Sequence, residues 1–132
     1  AWQKGPWLLQ SELLQRRLNG TNGQPERTAR GAYVQLAWLV TGEQRRYDDR
    51  RGRFSGARPA HPHGGAWEVF YRLDGLEVKQ ARSATVHTAG LSWTADRIWR
   101  VIVSVHRARS GDENDLGQIT GTGVSARLQA LF

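Results

Sequence analysis

The sequence predicts an all-β fold, an antiparallel sheet of the kind that closes a transmembrane β-barrel. Three observations carry that expectation. The first is alternation: in the final stretch, "GVSARLQALF", Val124, Ala126, Leu128, Ala130 and Phe132 fall on one side, and Ser125, Arg127 and Gln129 on the other. A period of two belongs to a strand whose faces meet different surroundings. The second is the level at which the tryptophans fall, and the third is the character of the face opposite them.

Six segments read as strands: 6–18, 31–42, 66–78, 84–94, 98–108 and 118–132. Loops rich in Gly, Arg, Asp and Pro separate them. The first segment also fits an amphipathic helix, because Leu8, Leu9, Leu13, Leu14 and Leu18 recur at helical spacing. The others hold too many β-branched, aromatic and glycine residues for that reading. A three-residue loop at 95–97 pairs Thr94 with Ile98 and Trp93 with Trp99. Strands that alternate in direction then put the polar connections 19–30, 79–83 and 109–117 on one side. The tight hairpin and the long segment 43–65 fall on the other, with the chain end.

On this layout Trp7, Trp67 and Trp99 begin strands leaving the tight-hairpin side, while Trp38 and Trp93 end strands arriving there. With Phe132 they form a belt on the apolar face, and Trp2 lies just before the first strand near the same level. A soluble core has no need of tryptophans at one height, whereas a bilayer interface does. The opposite face is polar but not lysine-rich, with Gln10, Glu12, Gln35, Glu68, Arg72, Asp74, Ser92, Arg100, Ser104, His106, Arg127 and Gln129. That composition suits a wet lumen. Phe70, Leu14 and Ile102 are apolar exceptions that packing beneath an inserted loop would explain. A soluble β-sandwich alternates as well and is the competing architecture.

Composition sets outer limits. Cysteine is absent, which removes disulfides, thiolate metal sites and thiol nucleophiles. Methionine is absent even at position 1, so the chain is expected to be processed or a fragment. No apolar run approaches the roughly 20 residues of a transmembrane helix, but a transmembrane strand needs only about 9–11. The net charge of +7 is almost all arginine, 17 of 19 basic residues. Arginine favours bidentate contact with phosphate or carboxylate. A soluble basic β-domain that binds nucleic acid is the alternative such a charge raises.

Four stretches then resemble a known family: "GAYVQLAWLVTGEQRRYDDRRGRF", "GGAWEVFYRLDGLEV", "LSWTADRIWRVIVSVHRAR" and the terminal "GVSARLQALF". Together they are similar to the C-terminal part of the phosphate-selective porin O/P family, over nearly the whole chain from "GPW" at 5–7 to Phe132. "VTGEQRRYD" and "GAWE" are the most specific pieces. The resemblance implies a channel in the bacterial outer membrane, a trimer of sixteen-stranded antiparallel barrels that passes phosphate or other anions. It makes residues 1–132 part of one barrel domain, about its last six strands. It also implies that Phe132 is read by the barrel-assembly machinery, and that the central anion site draws on N-terminal strands outside this sequence.

For such a channel the working parts are fixed positive charges along a polar path. Arg72, Arg100 and Arg127 occupy the polar face at different heights, and Arg16 stands near the outer mouth. Glu68 and Asp74 flank Arg72 on the same face, so that arginine is paired or free with equal claim. Arg100 and Arg127 have the better claims as free charges. Segment 43–65 carries Arg45, Arg46, Arg50, Arg51, Arg53 and Arg58 on the side where barrel turns are usually short. It is a periplasmic flap or folds into the lumen, and the resemblance, whose members fold loops inward, favours a basic constriction. Arg17 and Arg107 have apolar-face parity at the outer rim, where lipopolysaccharide phosphates would meet them.

Other chemistries fit less well. "GRFSGARP" lacks P-loop spacing. His61 and His63 have no third metal ligand nearby, and "GDENDLG" has Leu116 where a calcium loop needs an oxygen. His87 and His106 are expected as strand residues near the outer rim. No nucleophile elbow is visible. The expectation is therefore a passive anion channel and not an enzyme, with no cofactor, no metal and no nucleic-acid partner.

Overall fold

A computed structural model describes residues 1–18, 27–48, 53–54, 56–57, 59, 64–78, 82–96, 98–112 and 117–130. The described residues contain nine strands and no helix. β1 (Trp2–Lys4), β2 (Trp7–Leu18) and β3 (Arg27–Leu39) are followed by β4 (Tyr47–Asp48) and β5 (Arg53–Phe54). β6 (Ala66–Val78), β7 (Arg82–Thr94), β8 (Trp99–Asp112) and β9 (Ile119–Ala130) complete the chain. Seven of them form one sheet in the order β1-β2-β3-β6-β7-β8-β9, every neighbour antiparallel. The leucine-rich first segment is a strand, because its leucines divide between two faces that each match β3 in register.

The sheet has one strand more than the six expected. β1 precedes them and closes a hairpin with β2 through Gly5, whose φ of 55° suits glycine. Trp2 thus lies within a strand, opposite Leu9. Several strands also run further outward than their apolar pattern. β3 begins at Arg27, four residues before the pattern, and β8 continues through Asp112. Polar residues such as "RTAR" keep exchanging backbone hydrogen bonds where the alternation has already faded. His87 and His106 consequently lie midway along β7 and β8, not near the rim.

The tight hairpin is shifted from the expected pairing. Trp93 faces Val101, Thr94 faces Arg100, and the Ala95 N–H donates to the Trp99 carbonyl at 3.0 Å. Asp96 decides this. Its Oδ1 accepts from the Ile98 and Trp99 N–H groups at 2.6 and 2.8 Å, which centres the turn one residue later. Those bonds, Trp99's first, hold the Asp96 carboxyl below its ordinary value. The shift in pairing is two residues, so every side chain keeps its face.

Buried strand residues all lie on the polar face: Leu8, Ala37, Leu39, Ala66, Glu68, Thr88, Ser92, Thr94 and Ser104. Phe70 belongs to that face too, and its ring lies across Gly90 on β7. A Cβ at Gly90 would meet Phe70 Cζ at 2.4 Å and Ser104 Cβ at 2.9 Å. The glycine provides the seat for the aromatic ring, so a packing loop is not needed to explain it. Gly90→Ala is expected to cost about 1–2 kcal/mol through this overlap. A lower midpoint temperature for heat-modifiable gel migration of the full-length parent would register it, with partial recovery in Gly90→Ala/Phe70→Leu.

Candidate functional site

The ladder registers show how the tryptophans are arranged on the apolar face. One row across the strands runs Leu9, Leu36, Tyr71, Ala89, Val105, and Trp2 lies opposite Leu9 at its head. Trp7 and Trp38 lie one row nearer the tight turn, Trp67 and Trp93 one further, and Trp99 one further still. All six tryptophans therefore follow one slanting line, which drifts six residues from Val105 to Trp99 while crossing five strand-to-strand steps. At about 3.3 Å per residue and about 4.8 Å between strands, that slope is about 40°. A level belt on a sheet whose strands tilt about 35–45° to the membrane normal requires such a slope. The rings also pair: Trp7 stacks on Trp38 with centroids 5.3 Å apart, and Trp67 meets Trp93 at 5.9 Å.

Outward from this line the apolar face carries Leu9, Leu13, Val34, Leu36, Val69, Leu91, Val103, Val105, Val124 and Leu128, all exposed. Charged side chains return some eight to ten residues beyond the tryptophans, at Arg17, Arg30, Glu77 and Arg107. Eight strand residues at that tilt span about 20 Å of height, near the apolar band of about 25 Å in membrane barrels. Most of the exposed aliphatic side chains of the long strands thus lie in a band with tryptophan rings below and charges above, while Leu14, Leu76 and Ile119 are exposed on the other face toward its outer end.

On the polar face, carboxylates sort the arginines. Arg72 Nε donates to both oxygens of Asp74 at 2.9 Å, Nη2 adds a bond of 2.6 Å, and the guanidinium lies 3.8 Å above the Tyr33 ring. Arg72 is paired. Arg100 Nε donates to Ser92 Oγ at 2.7 Å and Nη2 to Glu68 Oε1 at 3.2 Å. The expectation that Arg100 stands free is therefore corrected: β6 places Glu68 across β7 from it, within reach of a long side chain. Arg127 on β9 has no ion-pair partner among the described residues, and Arg16 sits exposed toward the outer end of β2.

Glu68 holds a second arginine, Arg45, which comes from the segment after β3 and is buried. The carbonyl of Arg45 also accepts from Gln3 Nε2 at 2.9 Å. Burial, with the nearby Arg100 charge, pulls the Arg45 guanidinium down to about 10, still protonated at neutral pH. One carboxylate thus faces two guanidiniums, a pairing whose parallel in sequence is invisible because Arg45 and Arg100 are 55 residues apart. Further along the segment, Tyr47 and Phe54 meet edge-on across the β4–β5 hairpin at 5.0 Å. Arg46 is exposed and has its own partner, and the backbone of Arg53 lies in β5. Arg50, Arg51, Arg58, His61, His63 and Phe132 lie outside the described residues.

A two-faced antiparallel sheet with its tryptophans along one slanting line, an exposed apolar band and a polar face of arginine and hydroxyl groups defines a stretch of wall from a transmembrane β-barrel channel. The chain belongs to the family of phosphate-selective porins O and P, whose sequence model matches residues 1–132. It is 33% identical, over an alignment of 147 residues, to Porin O of Pseudomonas aeruginosa (strain PAO1), which covers all of this chain and 34% of that relative. The chain thus spans about a third of the relative's length. The family comprises outer-membrane channels, not enzymes.

Two measurements check this geometry. Glu68→Gln leaves two neighbouring guanidiniums without a counter-charge and is expected to destabilise the barrel by about 3 kcal/mol. The fall in gel-shift midpoint should shrink when Arg45→Gln is added. In brominated-lipid vesicles, fluorescence assigned to these tryptophans by single Trp→Phe differences should be quenched more by bromine near the headgroups than by bromine at the chain ends.

Proposed function

We propose that this sheet is part of the wall of an anion-selective outer-membrane porin that passes phosphate or related anions by passive diffusion. The observation that carries the reading is Arg127, a lumen-side guanidinium without an ion-pair partner among the described residues, on a face lined by hydroxyl groups. A mobile anion can exchange its water for such groups and move on, because no deep cage of cations holds it. Arg16 lies on the same face nearer the outer end and would gather anions at the mouth. The family's description as phosphate-selective supports phosphate as the anion.

The basic segment 43–65 is part of the same proposal. Arg45 bonded to Glu68, and the buried Leu8, Leu39 and Ala66 around that end of the polar face, support a segment that turns inward to narrow the lumen. Arg46, Arg50, Arg51 and Arg53 would then add positive charge at a constriction. The parent protein would assemble as a homotrimer, Phe132 would serve as the assembly signal, and the outer-rim cations Arg17, Arg30 and Arg107 would meet lipopolysaccharide phosphates. A porin of the same architecture without phosphate preference is the second reading. It is favoured by Asp74 on Arg72 and Glu68 on Arg100, which cancel much of the arginine charge.

Single-channel recordings of the full-length parent in potassium chloride test the reading. Anion-dominated current that falls as phosphate is titrated in is the expected result, and unblocked anion current would leave the general porin. Arg127→Gln should weaken phosphate block about fivefold, the effect of one nearby charge in a wet lumen. Arg72→Gln/Asp74→Asn, which removes a neutralised pair, should change it less than twofold. A pore that prefers potassium would overturn the assignment.

A further inference from the structure

Midway along β8, His106 faces the polar side among three hydroxyl groups. Thr88 Oγ1 lies 3.1 Å from its Nδ1, while Ser104 Oγ and Ser125 Oγ lie 3.1 and 2.9 Å from its Nε2. The two serine oxygens are 2.9 Å apart. Register explains the gathering: Thr88 is opposite His106, and Ser104 is opposite Ser125 in the next row. Thr88 and Ser104 are buried, His106 is half-buried and Ser125 is exposed. Ion pairing, the apolar core and the tryptophan belt make no use of this cluster.

We infer that His106, with Ser104, Ser125 and Thr88, is a proton-controlled site for small tetrahedral oxyanions on the lumen wall. The inference rests on the anion-channel reading and adds a site and a control to it. A neutral imidazole has one N–H and one acceptor nitrogen, so one of the surrounding hydroxyls must spend its hydrogen on the ring. Protonation makes both nitrogens donors. The hydroxyls then accept from the ring, and their own hydrogens turn elsewhere. Exposed Ser125 is thereby left to offer its O–H to the lumen beside a new positive charge. An oxyanion can accept from both, and charge-assisted bonds are the stronger kind. The site would be filled on acidification, when the ring takes up its second proton, and released as the pH rises.

The neighbouring charges do not oppose this. Neither β7 nor β9 contains a carboxylate. On the polar face β7 contributes only Arg82 at its outer end, and β9 contributes Arg127, one inward-facing position beyond Ser125. β8 itself brings Arg100, tied to Glu68, and ends at Asp112, opposite Arg82. Beyond Thr88, β6 places Arg72 in the same row as His106, and Asp74 is bound to it. An anion at the cluster therefore lies between Arg72 and Arg127, with every carboxylate described on β6 already engaged by an arginine or set at the outer end.

The test uses the full-length protein in planar bilayers, with inorganic sulfate as the probe because its charge stays fixed across this pH range. Sulfate should block chloride current about fivefold more tightly at pH 5 than at pH 8. His106→Gln should remove that difference. Ser125→Ala, at an exposed position, should lose about threefold of the acid block. An anion-selective pore whose pH dependence survives both substitutions overturns the site and leaves the channel reading intact. A pore selective for cations at both pH values overturns both.

Discussion

Backbone hydrogen bonding in a solvent that offers none is the constraint on which this structure depends. Within hydrocarbon each N–H and C=O must find a partner in the protein, and for strands that means an unbroken ladder. The six long strands, of 12 to 14 residues, pair residue for residue with their neighbours, so the ladder outlasts the apolar band at its outer end. Because the side-chain period is two, continuous pairing sends every side chain to one of two environments without exception. The tryptophan line, the exposed aliphatic band and the polar wall all follow from that single geometry. A slip of one residue anywhere would exchange leucine for arginine across the sheet.

The same ladder decides which arginines are tied to carboxylates. Guanidiniums on one face of a sheet reach two strands sideways, so a carboxylate far away in sequence can claim them. Glu68 claims Arg100 across β7 and Arg45 from the segment beyond β3. Asp74 claims Arg72 from two residues along its own strand, and Tyr33 lies under the pair. A buried pair such as Arg45 with Glu68 contributes little net stability but is costly to break from one side. Such pairs therefore fix the wall's shape more than they strengthen it, and among the described residues they leave Arg127 without an ion-pair partner.

How much of this was legible in the sequence depends on whether a feature is local. Alternation in "GVSARLQALF" or "IWRVIVSVHRA" assigns faces without any partner, and both assignments hold over the described strand residues 123–130 and 99–108. The ends of strands are less legible, since "RTAR" and "RSGD" have no hydrophobic pattern and extend β3 and β8 only because a neighbouring strand is there to bond them. β1 is three residues long and is recognisable only by its pairing with β2. The turn after β7 was displaced by a side-chain bond from Asp96 that no spacing rule reports. Phe70 looked like a polar-face anomaly until its partner proved to be Gly90.

The sequence by itself determined that the chain is all-β, that one face is apolar and the other polar, and to which family it belongs. Periodicity, composition and motif are properties of a single strand and survive errors of two residues. Only the tertiary structure decided the slope of the tryptophan line, the pairing of Arg100 and Arg45 with Glu68, and the meeting of His106 with three hydroxyls. Those depend on register between strands, which arises from the summed hydrogen bonds of whole ladders and is written at no single position in the chain.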